Sequence, residues 1–304
     1  MTTFYGPSLE GHPGIGALTM GELLDEVTER FGPNEALVFE DPLRGGETMR
    51  WTYADLRGES ERTARGLVAA GVEPGQRVGI LMGNRPEAVA ALFGVTSIGA
   101  TAVLMSTFAP RPELAFMVEL AETEVVLTQE RLLARRFGDD LAWLAEGRPT
   151  LRRVAVVGTS DWDDFLAGGD GVAVEPAAVS PDDDAVVIFS SGTTSQPKGM
   201  LHSHRAATLQ VWVQSQIFGR HEQTRMWSSL PMFWTAGLNT AMGSTLAAGG
   251  CWVMQETFEP GDALRLMARE RVTEPYTLPH QTGALEEHPD WATTDLTSLR
   301  CVYG

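Results

Sequence analysis

The sequence predicts an α/β fold of parallel sheets flanked by helices, and three observations carry that reading. Apolar runs without polar alternation recur along the chain, at residues 77–82 (RVGILM), 101–106 (TAVLMS), 124–128 (EVVLT), 153–158 (RVAVVG) and 185–190 (AVVIFS). Such runs mark strands buried on both faces, as in parallel sheets. Helix-like stretches separate them, the spacing that parallel strands need for their crossovers. Finally, 304 residues with 43% hydrophobic content are enough for a large core.

Each element has a local cause. Residues 20–31 carry an amphipathic helical pattern, ALVFE (36–40) reads as a strand, and a helix is expected over 56–70. Pro86 opens the next helix from its first position, followed by EAVAALFGVTSIG. Another helix is expected at about 112–121. Residues 167–184 are rich in Gly, Pro and Asp and read as a surface connection, with PDDD (181–184) a solvated turn. After 185–190 come a loop and a helix from about Ser203 to Gln216. A second round then follows: strand MWSSLP, helix TAGLNTAMGSTLAAG, strand CWVMQ and helix PGDALRLMARERV. The expected organisation is a first unit over about 1–180 and a second over about 181–304.

Charge narrows the partners. A formal net charge of −17 argues against nucleic acid and anionic membrane surfaces, which both reward positive patches. No apolar run reaches the roughly 18 residues of a membrane span, so no stable membrane insertion is expected. The N-terminus lacks the basic start and apolar core of a signal peptide. The two cysteines, Cys251 and Cys301, sit in strand-like runs and read as buried reduced thiols. A cytoplasmic location is the expectation.

The chemistry concentrates at residues 190–199, SSGTTSQPKG. Gly192 lets backbone approach an anion without a Cβ in the way. Ser190, Ser191, Thr193, Thr194 and Ser195 offer hydroxyls, and successive N–H groups there can form an anion nest. Lys198 is the only lysine of the chain, all other basic residues being arginine. A compact ammonium suits a phosphate oxygen, and charge-assisted bonds are about twice as strong as neutral ones. The loop is neither a Walker motif, since Pro197 precedes the lysine and Gly199 follows it, nor a dinucleotide fingerprint. A strand running through this loop toward a helix is the expected phosphate-binding arrangement. His202 and His204 are too close in sequence to share a helical metal face, and His204 is expected to cap or pack at the helix start.

The segment IFSSGTTSQPKGMLHSH resembles the signature of the adenylate-forming (AMP-binding) superfamily, most closely its acyl-CoA synthetases. WTYADL, GVEPGQRVGILMGNRPE, SIGATAVLMSTFAPRPEL and LPMFWTAGL resemble further elements of that family, in its order along the chain. The resemblance implies the large N-terminal domain of such an enzyme, with residues 1–304 as part of it, cut before its completion and without the mobile C-terminal lid. It implies ATP-dependent activation of a fatty or aryl carboxylic acid to an acyl-adenylate, then thioesterification to CoA. Alternatives are loading of a carrier protein and a non-catalytic nucleotide-binding fragment.

By that resemblance Ser190, Ser191, Gly192, Thr193, Thr194, Ser195 and Lys198 bind the ATP phosphates, with Lys198 and Thr193 catalytic and the Thr193 hydroxyl on Mg²⁺. Trp234, Thr235 and Gly237 border the acid. Trp234 stands where relatives carry histidine or another aromatic, and reads equally as a pocket gate or a core residue. Because other family elements do not appear before Gly304, the chain alone is expected to form no acyl-CoA, and to need a complementary C-terminal piece or a homodimeric partner. An exposed sheet edge with an apolar patch is expected for the same reason.

Overall fold

A computed structural model describes residues 18–147, 150–174, 178–190 and 196–300. Strands are β1 (Glu35–Asp41), β2 (Glu47–Thr52), β3 (Arg77–Leu81), β4 (Thr101–Leu104), β5 (Val125–Gln129), β6 (Arg131–Leu132) and β7 (Arg135–Arg136). They continue with β8 (Arg153–Val157), β9 (Asp184–Phe189), β10 (Gly199–Ser203), β11 (Arg225–Ser228), β12 (Cys251–Met254) and β13 (Glu274–Pro275). Helices are α1 (Met20–Phe31), α2 (Tyr53–Ala69), α3 (Pro86–Ser97), α4 (Arg111–Leu120), α5 (Phe137–Gly147), α6 (Ser160–Ala167) and α7 (His204–Ile217). A π-helix (Ala236–Gly243) leads into α8 (Ser244–Ala247), and α9 (Pro260–Arg269) and α10 (Pro279–Glu286) follow.

Two sheets result. One runs β10-β9-β4-β3-β5-β8 and the other β13-β11-β12-β1-β2. Each is parallel throughout except for one antiparallel edge strand, β10 in the first and β2 in the second. The buried strands β3, β4 and β5 are the unalternating runs read from sequence, whereas β2 (ETMRWT) is a polar edge that the apolar pattern did not mark. Both sheets draw strands from either side of residue 180: β9 joins the first four βα units, and β1 joins β11 to β13. A break near 180 therefore does not coincide with a break between sheets.

Helix α3 is buried on every side over Pro86–Thr96, which is why its sequence is apolar all round instead of striped. Capping boxes start two of its neighbours: Thr19 with Glu22 for α1, and Thr52 with Asp55 for α2. His204, wholly buried, accepts the Met20 backbone N–H on Nδ1 at 3.1 Å, so it packs at the helix start as expected and pins α1. Burial holds its basicity below the usual imidazole range, although Asp183 and Glu22 oppose that shift. Cys251 is buried and unbridged, its thiol pushed up to about 12 chiefly by burial; Cys301 lies outside the described residues. No helix among the described residues is long and apolar enough to cross a membrane.

One expected α-helix is different. Residues 236–243 wind as a π-helix, and only 244–247 continue as α. Arg220 accounts for part of this. Its side chain is fully buried, donates to both Glu274 oxygens at 3.0 Å from Nε, and turns Nη1 onto the Thr240 carbonyl and the Ser244 hydroxyl. Gly237 lies against the preceding turn, where a Cβ would collide with the Pro231 and Leu230 carbonyl oxygens. Gly237→Ala is therefore expected to cost about 3 kcal/mol or more, since the obstacle is backbone. A drop in the urea midpoint at unchanged slope checks it.

Candidate functional site

The site forms where the two sheets point their strand ends at each other. Residues just past β3, β4 and β9 of one sheet meet residues just past β11 and β12 of the other, the position where open α/β sheets bind ligands. The segment read as a phosphate site joins β9 to β10, whose described residues pair antiparallel. Gly199 pairs with Phe189 and Met200 with Ile188, and at the mouth the Ser190 N–H donates to the Lys198 carbonyl at 3.0 Å. The Lys198 N–H returns to the Ser190 hydroxyl at 3.3 Å.

This corrects the expected strand–loop–helix arrangement. The return strand β10 stands between the loop and α7, whose N-cap is Ser203. The helix dipole is thus not available at Lys198, because such effects fade within one turn. Lys198 itself is exposed. Ser191, Gly192, Thr193, Thr194 and Ser195 lie outside the described residues.

One cleft opens beside the hairpin and a second adjoins it. The first, about 270 Å³, is lined by Ser190, Phe189, Ser106, Phe108, Phe233 and Trp234 among others. The second, about 310 Å³, shares Phe108, Phe233 and Trp234 and adds Glu256, Phe258 and Leu230. The three shared rings stack edge to face, with centroids 5.4 Å apart for Phe108–Phe233, 5.8 Å for Phe233–Trp234 and 6.0 Å for Phe108–Trp234. They form the wall common to both spaces. Trp234 is 36% exposed while Phe233 is 4% exposed, so Trp234 stands at a cleft border and not in the core. Thr235 is exposed at the N-cap of the π-helix, and Gly237 is buried against the Leu230–Pro231 backbone.

Asn84 sets where the rings stand. Its buried amide donates to the Leu230 and Gln255 carbonyls at 3.0 and 3.3 Å and accepts from the Met232 N–H at 3.0 Å. One side chain therefore ties the turn after β3 to the segment that carries Phe233 and Trp234.

Beneath lies a charged group that sequence reasoning missed. Arg85, fully buried, reaches Glu87 at 2.9 Å and Asp41 at 3.2 Å, with Glu256 at 3.8 Å. Burial pushes the Glu256 carboxyl up to about 7; Asp41 and Glu87 add to the rise, while Arg85 and the Gln129 hydrogen bond (2.9 Å) oppose it. The signal was present in GNRPE, where an arginine interrupts a strand-to-helix turn between two buried apolar runs.

The raised value has a consequence for stability. The folded protein holds the Glu256 proton more tightly than the unfolded chain, so this contribution is complete below about 4.5 and lost as pH rises through about 7. Wild type minus Glu256→Gln, measured by urea unfolding across that window, is expected to fall by up to about 3 kcal/mol. A flat difference would contradict the burial.

Among the described residues no group of three or more His, Cys, Asp or Glu side chains could hold a metal ion.

A β9–β10 hairpin with clefts at facing strand ends defines an α/β protein with a candidate ligand site. Residues 24–304 match the family described as AMP-binding enzyme, and the chain belongs to it. It is 30% identical over 289 residues to 3-[(3aS,4S,7aS)-7a-methyl-1,5-dioxo-octahydro-1H-inden-4-yl]propanoyl:CoA ligase of Mycobacterium tuberculosis, covering 93% of this chain and 55% of that protein. It is 32% identical over 264 residues to a feruloyl-CoA synthase of an Amycolatopsis species, covering 85% and 49%. Among solved structures, the anthranilate CoA ligase AuaEII in complex with anthranoyl-AMP superposes with a TM-score of 0.81 at 21% identity, over 95% of this chain and 54% of that one. The chain spans about half the length of the curated relatives it matches.

Proposed function

We propose that the whole protein activates a carboxylic acid with ATP, forming an acyl-adenylate and pyrophosphate, and then transfers the acyl group to the thiol of CoA. The observation that carries this reading is the chain's one lysine at the mouth of the β9–β10 hairpin, beside a cleft that Ser190 and Trp234 line together. That juxtaposition lets a carboxylate in the cleft meet a triphosphate held by the loop. Positioning and charge stabilisation are most of what such a displacement needs.

In this reading residues Ser190 to Ser195 with Lys198 hold the β- and γ-phosphates, and Lys198 and Thr193 stabilise the charge that builds up as pyrophosphate leaves. Mg²⁺ arrives with ATP and is held by few protein oxygens, the Thr193 hydroxyl being the proposed one. Trp234 gates the acid, with Thr235 and Gly237 setting the start of the π-helix behind it. The relatives' names favour CoA over a carrier protein as acceptor and a ring-bearing acid over a simple fatty chain. A cytoplasmic location suits these substrates. We assign residues 1–180 and 181–304 as successive portions of one N-terminal AMP-binding domain. We further propose that completion of the site uses a C-terminal piece or a second copy.

The test is acid-dependent release of pyrophosphate from ATP by the whole protein, over a panel of aryl and fatty acids. Release that requires both the acid and Lys198 supports the reading. Release of phosphate instead, or turnover indifferent to acid, contradicts it.

A further inference from the structure

The second cleft has a feature that ATP and thiol chemistry leave unused: a carboxyl in an aromatic box. Glu256 lines it together with Phe108, Phe233, Trp234 and Phe258, and its side chain is 5% exposed. Oε1 accepts from Gln129 Nε2. Oε2 has no hydrogen-bond partner among the described residues. Glu256 lines the cleft, and a ligand that displaces water from Oε2 must supply a donor in its place or leave the oxygen unpaired.

The ion pair with Arg85 does not use this carboxyl up. Arg85 already reaches Glu87 through Nε and Nη2 and Asp41 through Nη2. Its Nη1, the atom nearest Glu256, makes no hydrogen bond. The carboxyl is nonetheless held in place. Gln129, which anchors it, is itself fixed by the Gly83 N–H at 2.6 Å and the Arg131 carbonyl at 2.7 Å. Behind, Gly83 lies so close that a Cβ there would be 2.8 Å from Glu256 Cγ. At the rim, Gln281 Nε2 donates to the Ser229 hydroxyl at 2.9 Å. A rigid acceptor with one free oxygen among aromatic walls is preorganised for a ring that carries a donor.

We propose that Glu256 is a specificity-determining residue that reads a hydrogen-bond donor on the ring of an aromatic acid, the donor being a hydroxyl or amino group remote from the carboxylate. This rests on the acid-activation reading above, which places the acid at Trp234. Donor groups satisfy Oε2, whereas an unsubstituted ring leaves it unpaired and desolvated.

Equilibrium titration of the chain with 4-hydroxyphenylacetate and with phenylacetate, at a pH above the value of about 7 at which Glu256 ionises, tests the proposal. The expected result is a preference for the hydroxylated acid of about tenfold or more. In Glu256→Leu the preference collapses toward unity while phenylacetate binding persists, which also reports that the variant is folded. Glu256→Gln keeps an acceptor of the same shape and retains part of the preference. Equal binding of the two acids by wild type, or a preference that survives Glu256→Leu, overturns the subsite and leaves acid activation standing. Failure of both acids to bind overturns the acid reading of these clefts and the subsite with it.

Discussion

Replacing Lys198 with alanine is expected to weaken ATP binding about 10- to 100-fold, the range for loss of a charge-assisted hydrogen bond to a phosphate. No other lysine exists to substitute for it. The backbone bonds that close the hairpin mouth, Ser190 N–H to the Lys198 carbonyl and Lys198 N–H to the Ser190 hydroxyl, do not use its side chain. The hairpin is therefore expected to survive the substitution, so that a lost affinity reports the ammonium and not the fold. Lys198→Arg is not a neutral control, because a planar fork replaces a point charge. Isothermal titration with ATP, alongside the urea midpoint of each variant, separates binding from stability.

The second large effect is structural. Arg220→Met is expected to destabilise the protein by about 3–5 kcal/mol, because it strands Glu274 as a buried charge without a partner. The same change takes Nη1 away from the Thr240 carbonyl, which keeps the Ser244 hydroxyl as a donor at 2.8 Å. Adding Glu274→Gln should recover part of the loss, a non-additivity expected of residues in one network. Urea unfolding of the two single variants and the double variant measures it. Strict additivity would contradict the coupling.

These two arginine and lysine sites were unequally legible in the sequence. Lys198 stood out because a lone lysine in a Gly/Thr-rich loop has no compositional explanation. Arg220 did not, because its meaning depends on Glu274 and Thr240, 54 and 20 residues away. The parallel strands β3, β4, β5, β8 and β9 were readable because burial on both faces leaves unalternating apolar runs. The strand β10 was not, since GMLHS lacks that pattern and sits on an edge. That omission turned a hairpin tip into an expected strand-to-helix loop. Likewise the pairing of β1 with β12 depends on a contact 215 residues apart along the chain (Leu37 with Trp252), which no local periodicity encodes. Trp234 was identified as either gate or core. Its one-third exposure beside Phe108 places it at the cleft border, a distinction that only packing decides.

In the proposed function the segment joining β9 to β10 grips the β- and γ-phosphates. Calorimetric titration of the chain with ATP and with AMP tests it most directly, since AMP keeps the adenosine and lacks both outer phosphates. ATP is expected to bind at least about tenfold more tightly. Equal affinity for the two nucleotides would contradict it.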